Sequence, residues 1–329
     1  MQNFRCYRIQ VEKMMIHTLI NADCFSWMAV RDENSITAIV TDPPYGVKEY
    51  TEKEIEKQRA GKGGIWRIPP AFDGHKRKSL PRFSVINDDP KERRNVYEFF
   101  LRWSTLALRI LVPGGHVFIA STPLLSDILS LAMRNAGFER RGEIIRTVST
   151  LRGGDRPKGA ENEFEDVSVI PRGMWEPWGL YRKPISERTV AENLRRWNAG
   201  ALRRENNLSP FCDLIQSSKT PQNEREIAPH PSLKPQKFMR KIVYAALPTG
   251  KGIILDPFSG SGSTLAAAIH FGYNCIGIER DEQFYNMSKA AIPKLATLYP
   301  NLFMQTENIS VSARQRKVLR DFSAVEALF

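Results

Sequence analysis

Cysteine is scarce in this sequence. The four residues, Cys6, Cys24, Cys212 and Cys275, are scattered and form no CxxC pair, which argues against a structural zinc site and against a disulfide framework and suits a reducing compartment. Histidine is almost as thin. The five are spread singly, so no metal-binding cluster is expected, and His116 in "GGHVFIA" and His270 in a helical stretch read as structural. No segment approaches the roughly 18 uninterrupted apolar residues of a membrane span, and "MQNFRCYRIQVEKMM" lacks the apolar core of a signal peptide. No membrane partner is therefore expected, a cytoplasmic location is, and Met14 and Met15 offer alternative starts. Acid is the last shortage. Against 48 Lys and Arg stand 36 Asp and Glu, a formal net charge of +12, which favours a polyanionic partner and above all nucleic acid.

What is present is an ordinary globular inventory. With 42% hydrophobic and 26% charged residues in 329, the chain can build one large core or two small ones. Both ends alternate between strand and helix signals. "MIHTLINADCF" reads as a strand running into a loop at Asn21, and "SITAIVTDPPY" as a buried strand stopped by Pro43. A long polar, basic stretch follows from about Gly46 to Arg94. "NVYEFFLRWSTLALRILVPGG" then has helical spacing and ends at the turn signal Pro113, Gly114, Gly115. "HVFIAS" is a strand, "PLLSDILSLAMRNAGF" a helix closed by Gly137, and "RRGEIIRTVST" and "WGLYRKP" are two further strands. From about Ile185 to Ala228 the apolar rhythm breaks. It returns as the helix "SLKPQKFMRKIVYAAL", the strand "KGIILDPF", the helix "TLAAAIHFG" and the strand "NCIGIERD", and the C-terminal "SVSARQRKVLRDFSAVEALF" suggests a helix outside the core.

Two short motifs carry chemistry. In "LDPFSGSGST" a strand ends at Asp256 and feeds a glycine turn and a helix, so Gly260 and Gly262 let backbone N–H groups approach a ligand at the helix start. The next strand ends in Glu279, where an acid can accept both hydroxyls of a ribose, so the pair suggests a nucleoside-bearing cofactor. The dinucleotide fingerprint would want a third glycine at Leu265, and a P-loop would want GK[ST]; neither is present. The second motif, "DPPY" at Asp42 to Tyr45, puts a carboxylate, a stiffened backbone and an aromatic face at the carboxyl end of a strand.

Together the two motifs resemble those of the DNA amino-methyltransferases, which use S-adenosylmethionine (SAM) to methylate the exocyclic nitrogen of adenine or cytosine. "DPPY" before "DPFSGSGST", with a variable basic segment between, is similar to the circularly permuted β class. The resemblance extends from about Met15 to Ile292 and implies an α/β fold: a Rossmann-like SAM-dependent methyltransferase sheet with a DNA-recognition insertion. "NADCFSW" resembles the family's acidic motif at the cofactor adenine and points to Asp23 and Cys24. "HPSLKPQKF" resembles the segment over the methionine end and points to Lys234 and Pro235. The resemblance further implies a cofactor site at Asp42, Asp256, Phe258, Ser259 and Gly260, continuing through Gly262, Ser263, Thr264, Glu279 and Arg280. "WEPWGLYRKP" looks like the family's last strand on the catalytic face, preceded by an unusually long insertion, "LRGGDRPKGAENEFEDVSVIPRG".

An aromatic amine is a poor nucleophile because its lone pair is delocalised into the ring. Acceptors on both N–H bonds counter this, and Asp42 offers a carboxylate while Pro43 offers a main-chain carbonyl that Pro43 and Pro44 hold in place. Tyr45 offers a stacking platform for a base swung out of the duplex. Other base chemistries lack their residues: no cysteine follows a proline, as C5 methylation requires, and H-x-E and PCxxC, required of a zinc deaminase, are missing. The expected division is 15–184 for the DPPY part, 185–228 for target recognition, 229–295 for the cofactor part and 296–329 for a C-terminal extension. Within the recognition segment Arg195, Arg196, Arg203 and Arg204 could read guanine edges or neutralise phosphates of double-stranded DNA. The reading is a prokaryotic or phage-encoded enzyme acting on adenine N6. Cytosine N4 methylation and a non-catalytic SAM- or DNA-binding protein remain alternatives, and a homodimer and a cognate restriction enzyme stay open as partners.

Overall fold

The computed structural model describes residues 5–8, 16–44, 90–148, 157, 159–169, 171, 173–206, 209–230 and 232–300. The basic stretch up to residue 89 and the C-terminal segment from 301 lie outside the described residues. In chain order the elements are β1 (Arg5–Arg8), β2 (His17–Asn21), α1 (Cys24–Ala29), β3 (Ile36–Thr41), α2 (Pro90–Ile110), β4 (Leu111–Ala120), α3 (Ser126–Asn135), β5 (Glu139–Thr147) and β6 (Trp175–Arg182). They continue with α4 (Val190–Trp197), β7 (Leu214–Gln216), α5 (Gln222–Ile227), α6 (Gln236–Ala246), β8 (Ile253–Asp256), α7 (Ser263–His270), β9 (Asn274–Glu279) and α8 (Glu282–Thr297).

The described strands form one nine-stranded sheet in the order β1-β2-β9-β8-β3-β4-β6-β5-β7. From β2 to β4 all neighbours are parallel, while β1 and β6 run against their neighbours. A parallel sheet needs cover on both faces, and the period-two alternation of its strands supplies it. Ala38, Val40, Phe118 and Ile254 point to one face and pack under α6, α7 and α8. Ile39, Val117, Ile119, Leu255 and Ile278 point to the other and pack under α1, α2 and α3. The link from β3 to β4 therefore crosses one face and the link from β8 to β9 the other. Because β3 and β8 are adjacent, the carboxyl ends of these two strands flank the point where the chain direction switches faces, the usual place for a ligand crevice. No described helix is long and apolar enough to cross a membrane.

The expected strands and four expected helices are present; the 16-residue helix α8 and the strand β1 were not anticipated, and three further features differ. Pro113, Gly114 and Gly115 do not end a helix; the helix ends at Ile110 and these residues lie within β4. Gly114 has φ +80°, and a Cβ on Gly115 would meet the Thr37 and Val112 carbonyls at 2.9 Å, so the glycines make the kink where the β3–β4 register shifts. The loop after Asn21 contains α1, whose first turn is capped by the Asp23 carboxylate, which accepts from Ser26 N at 2.9 Å. The segment 185–228 holds α4, β7 and α5. A capping box between Thr189 and Glu192 starts α4, and buried Asn193 staples it to the start of β4 by donating to the Pro113 carbonyl at 2.9 Å.

Candidate active site

Asp42 and Asp256 end the two strands that flank the switch point, and one hydrogen bond ties these ends together. Thr41 Oγ1 donates to Asp256 Oδ1 at 2.7 Å, and Phe258 N donates to the same oxygen at 3.2 Å. Asp256 is 3% exposed. Burial pushes its carboxyl up to about 6, against the opposing effect of hydrogen bonds from Thr264, Thr41 and Phe258 N. Thr264 Oγ1 also lies 3.4 Å from the Val40 carbonyl, which brings the helix start against β3.

The glycine turn follows. Gly260 N donates to Glu279 Oε2 at 2.8 Å and Asp281 N to Glu279 Oε1 at 2.8 Å, so the carboxylate at the end of β9 braces the turn. Burial raises the Glu279 carboxyl, eased by those N–H groups. Both glycines have positive φ, +46° at Gly260 and +77° at Gly262. Their reasons differ. A Cβ on Gly262 would meet Ile292 of α8 at 2.3 Å, so that glycine serves packing, whereas one on Gly260 would meet the His230 ring at 3.1 Å. His230 stands edge-on to Phe284 at 4.5 Å and takes a hydrogen bond from Ser232 N on Nδ1 at 3.1 Å. Burial, helped by Lys234, pushes its imidazole down to about 4, so it is neutral at neutral pH. Phe258 joins an aromatic group on the α2 side, 6.1 Å from Trp103 and 6.4 Å from Phe99.

Asp42 does not stand alone. Its Oδ2 pairs with Lys234 Nζ, whose side chain is 8% exposed. Lys234 lies 3.8 Å from Glu176 Oε1, and Glu176 Oε2 lies 3.2 Å from Arg146. Glu176 and Arg146 are functional candidates that sequence reasoning missed. The signal was a charged residue inside each of two strands whose neighbours are apolar, "WEPWGL" and "EIIRTV".

The structure brings Asp42, Pro43, Pro44, Lys234, Pro235, Asp256, the turn from Phe258 to Thr264 and Glu279 to one end of the sheet. Pro43 is buried. Asp23, Cys24 and Arg280 lie on the same rim, where Asn21 Nδ2 donates to the Glu279 and Arg280 carbonyls at 2.9 and 3.1 Å. Cys24 is buried and its thiol is pushed up to about 12, mainly by desolvation, so it is not a nucleophile. Tyr45 lies outside the described residues. Among the described residues no group of three His, Cys, Asp or Glu could hold a metal ion.

The four arginines expected at the DNA do not join this group. Arg203 Nη1 donates to Tyr273 Oη at 2.7 Å and its guanidinium covers the Tyr244 ring at 4.3 Å. Tyr273 immediately precedes β9, so this contact sits at the amino end of the parallel strands, opposite Asp42. Arg196 pairs with Glu187 at 2.8 Å and stacks on Trp197 at 5.3 Å. Arg195 and Arg204 are exposed. All four belong to the stretch that Asn193 and Arg203 fasten to the amino-end edge. The break in apolar rhythm located the segment, but its direction across the sheet depends on the pairing of β7 with β5, three residues long.

Residues 36–290 match the DNA methylase family. The Type II methyltransferase M.HindIII of Haemophilus influenzae is 26% identical over 326 residues, covering 89% of this chain and 99% of that protein. Among solved structures, TTHA0409 from Thermus thermophilus, described as a putative DNA modification methylase, superposes with a TM-score of 0.53 at 19% identity, covering 86% of this chain and 97% of its own. The cytosine-N4-specific PvuII DNA methyltransferase superposes with a TM-score of 0.54 at 13% identity, covering 87% and 92%. These likenesses show the Rossmann-like methyltransferase fold.

Asp256→Asn keeps an acceptor for Thr41 and removes a buried charge. Because folding raises this carboxyl from 3.8 to about 6, the native state binds the extra proton between those values and the group's contribution to stability falls as pH rises through them. The variant should therefore outlast the parent at pH 8 by about 1–3 kcal/mol, and the gap should close towards pH 4. Thermal melts across that range check it; a gap independent of pH would contradict the assignment.

Proposed function

The chain belongs to the DNA methylase family, matched over residues 36–290, and from that premise we propose that it methylates the N6 amino group of adenine in double-stranded DNA with S-adenosyl-L-methionine as donor. It is a DNA methyltransferase; the base, the donor's site and the residue roles are our reading. The observation that carries the reading is Asp42 and Pro43 at the carboxyl end of β3, beside the glycine turn of the adjacent strand β8.

The turn suits a nucleoside-bearing donor. Glu279 is half-buried at the end of β9, and each of its oxygens accepts a backbone N–H, which leaves lone pairs for ribose hydroxyls. Glu279, the Gly260 turn, Asp23 and Phe258 would hold the donor, and a structure of the Thermus protein is a complex with this molecule. When bound, it supplies an electrophilic sulfonium methyl. The chain's own task is to prepare the amine. The Asp42 carboxylate accepts one N–H and the Pro43 carbonyl the other, which pulls the nitrogen towards a tetrahedral shape and returns its lone pair for attack. Proline holds φ near −65°, so that carbonyl needs no reorganisation. Tyr45 would stack on the extruded base, repaying about 1–3 kcal/mol of the cost of unstacking.

The acid at the head of "DPPY" favours adenine by its resemblance to adenine enzymes. The fold shared with a cytosine-N4-specific enzyme supports the second reading, since both bases carry a conjugated amine with two N–H bonds. A protein that only binds would have no use for an intact acceptor pair. The Type II relatives support a place in restriction and modification, with a cognate endonuclease as partner. After incubation with SAM and unmethylated genomic DNA, nucleoside mass spectrometry should find N6-methyl-2′-deoxyadenosine as the main product, and Asp42→Ala should abolish transfer while calorimetry finds most of the SAM affinity kept. N4-methylcytosine would overturn the base; unchanged turnover in Asp42→Ala would overturn the role of the carboxylate.

The duplex must approach the rim that carries Asp42. Exposed Lys219, which follows the Ser217 and Ser218 contacts to Arg146, is on that rim, and Arg203 is at the far end. Lys219→Ala should lower the slope of log K against log[salt] by about 1. Arg203→Ala should leave the slope and lower the unfolding midpoint instead, through loss of its contacts to Tyr244 and Tyr273. DNA titrations at several salt concentrations, paired with urea melts, distinguish the two; the reverse pattern would put the duplex at the amino end.

A further inference from the structure

Behind Asp42 lies a line of alternating charge drawn from four separate elements. Asp42 at the end of β3 pairs with Lys234, before α6. Lys234 is 3.8 Å from Glu176 Oε1 on β6, and Glu176 Oε2 is 3.2 Å from Arg146 on β5. Glu176 is fixed from both sides, since its Oε1 also accepts Trp178 Nε1 at 2.7 Å. Arg146 is fixed in turn by Ser217 Oγ and the Ser218 carbonyl, each at 3.1 Å, and by the Phe238 ring 5.0 Å beneath it. The side chains of Lys234 and Arg146 are 8% and 5% exposed, those of Asp42 and Glu176 16%. Removing four charges from water is costly, and apolar residues of similar volume would hold the strands at least as well. Stability alone does not account for the line, and its one end at the reacting site is Asp42.

We propose that Glu176 is a positioning residue for methyl transfer: it holds the Lys234 ammonium between two carboxylates, so that the cation orients Asp42 yet leaves it acceptor capacity for the target amine. This rests on the reading of Asp42 as the amine's acceptor. A lysine given wholly to Asp42 would neutralise it and compete with the substrate N–H. A site without the lysine would lose the contact that fixes the Asp42 carboxylate from behind. Sharing the cation between Asp42 and Glu176 avoids both, and Arg146 offsets the second carboxylate so that the line sums to zero. Glu176 acts only through Lys234, which gives the proposal a sharp test.

Glu176→Gln removes the charge and keeps an acceptor for Trp178. At saturating SAM and DNA its single-turnover transfer rate should fall about 10- to 100-fold, by analogy with the partners that orient metal ligands. Measured below its melting transition, its sinefungin and DNA dissociation constants should stay within about 2-fold of the parent's, a split between rate and binding that a merely structural role would not produce. In a Lys234→Met background the same substitution should cost nothing more, because the residue through which it acts is gone. If Glu176→Gln melts early, Glu176→Asp, which keeps the charge but withdraws it from Lys234, should show the same slowed transfer with intact binding. A parental rate in whichever Glu176 variant folds, or losses that multiply in the Lys234→Met background, would overturn the proposal. Asp42→Ala run in parallel keeps the two readings separate: if it turns over normally the role of Asp42 fails, whereas if it is dead and the Glu176 variant is not, only the inference about Glu176 fails.

Discussion

Two strands from distant parts of the chain, Ile36–Thr41 and Ile253–Asp256, pair in parallel at the centre of the sheet, with Ala38 opposite Ile254 and Ile39 opposite Leu255. Everything at the site depends on that pairing. It sets the end of the DPPY strand beside the start of the glycine turn, and the Thr41–Asp256 hydrogen bond locks the two ends in register. The helices that follow pack on opposite faces, so the Asp42 carboxylate stands on one side of the junction and the glycine turn, its Gly260 and Gly262 N–H groups taken by Glu279 and the Ser259 carbonyl, on the other. The two halves distinguished by their motifs share one sheet and two continuous cores.

The cost of the arrangement falls on buried charge. Asp256 is held in a dry junction that raises its carboxyl to about 6, and Asp42, Lys234, Glu176 and Arg146 form a run of ions in which each inner member has a partner on either side. Such groups are tolerated when each is paired and hydrogen-bonded. The segment before α6 gathers these demands: His230 lies over Gly260 at the cofactor turn while Lys234, four residues on, reaches Asp42. One short stretch thus touches both halves of the proposed site.

Much of this was legible because it is local. The strands at 36–41, 253–256 and 274–279, the turn glycines and Glu279 follow from apolar runs and the spacing of small residues. Long-range pairing was not legible. Asp23 could be identified by resemblance as a cofactor residue, yet its role as a helix cap lay in the neighbouring Ser26. The stretch around Arg195 and Arg196 was read from its arginine content alone, and the capping box between Thr189 and Glu192 that starts α4 emerges from the structure. Arg203 looks like any surface arginine until Tyr244 and Tyr273, from two other elements, close around it. Glu176 and Arg146 sit in strands whose register alone decides which way they face.

The most direct measurement is a crystal structure with a short duplex containing the modified sequence and a cofactor analogue that lacks a transferable methyl. The account predicts an adenine out of the helix, its amino group between the Asp42 carboxylate and the Pro43 carbonyl, with Glu279 on the ribose of the analogue. A target base still stacked in the duplex, or one whose amine is held by residues other than Asp42 and Pro43, would contradict it.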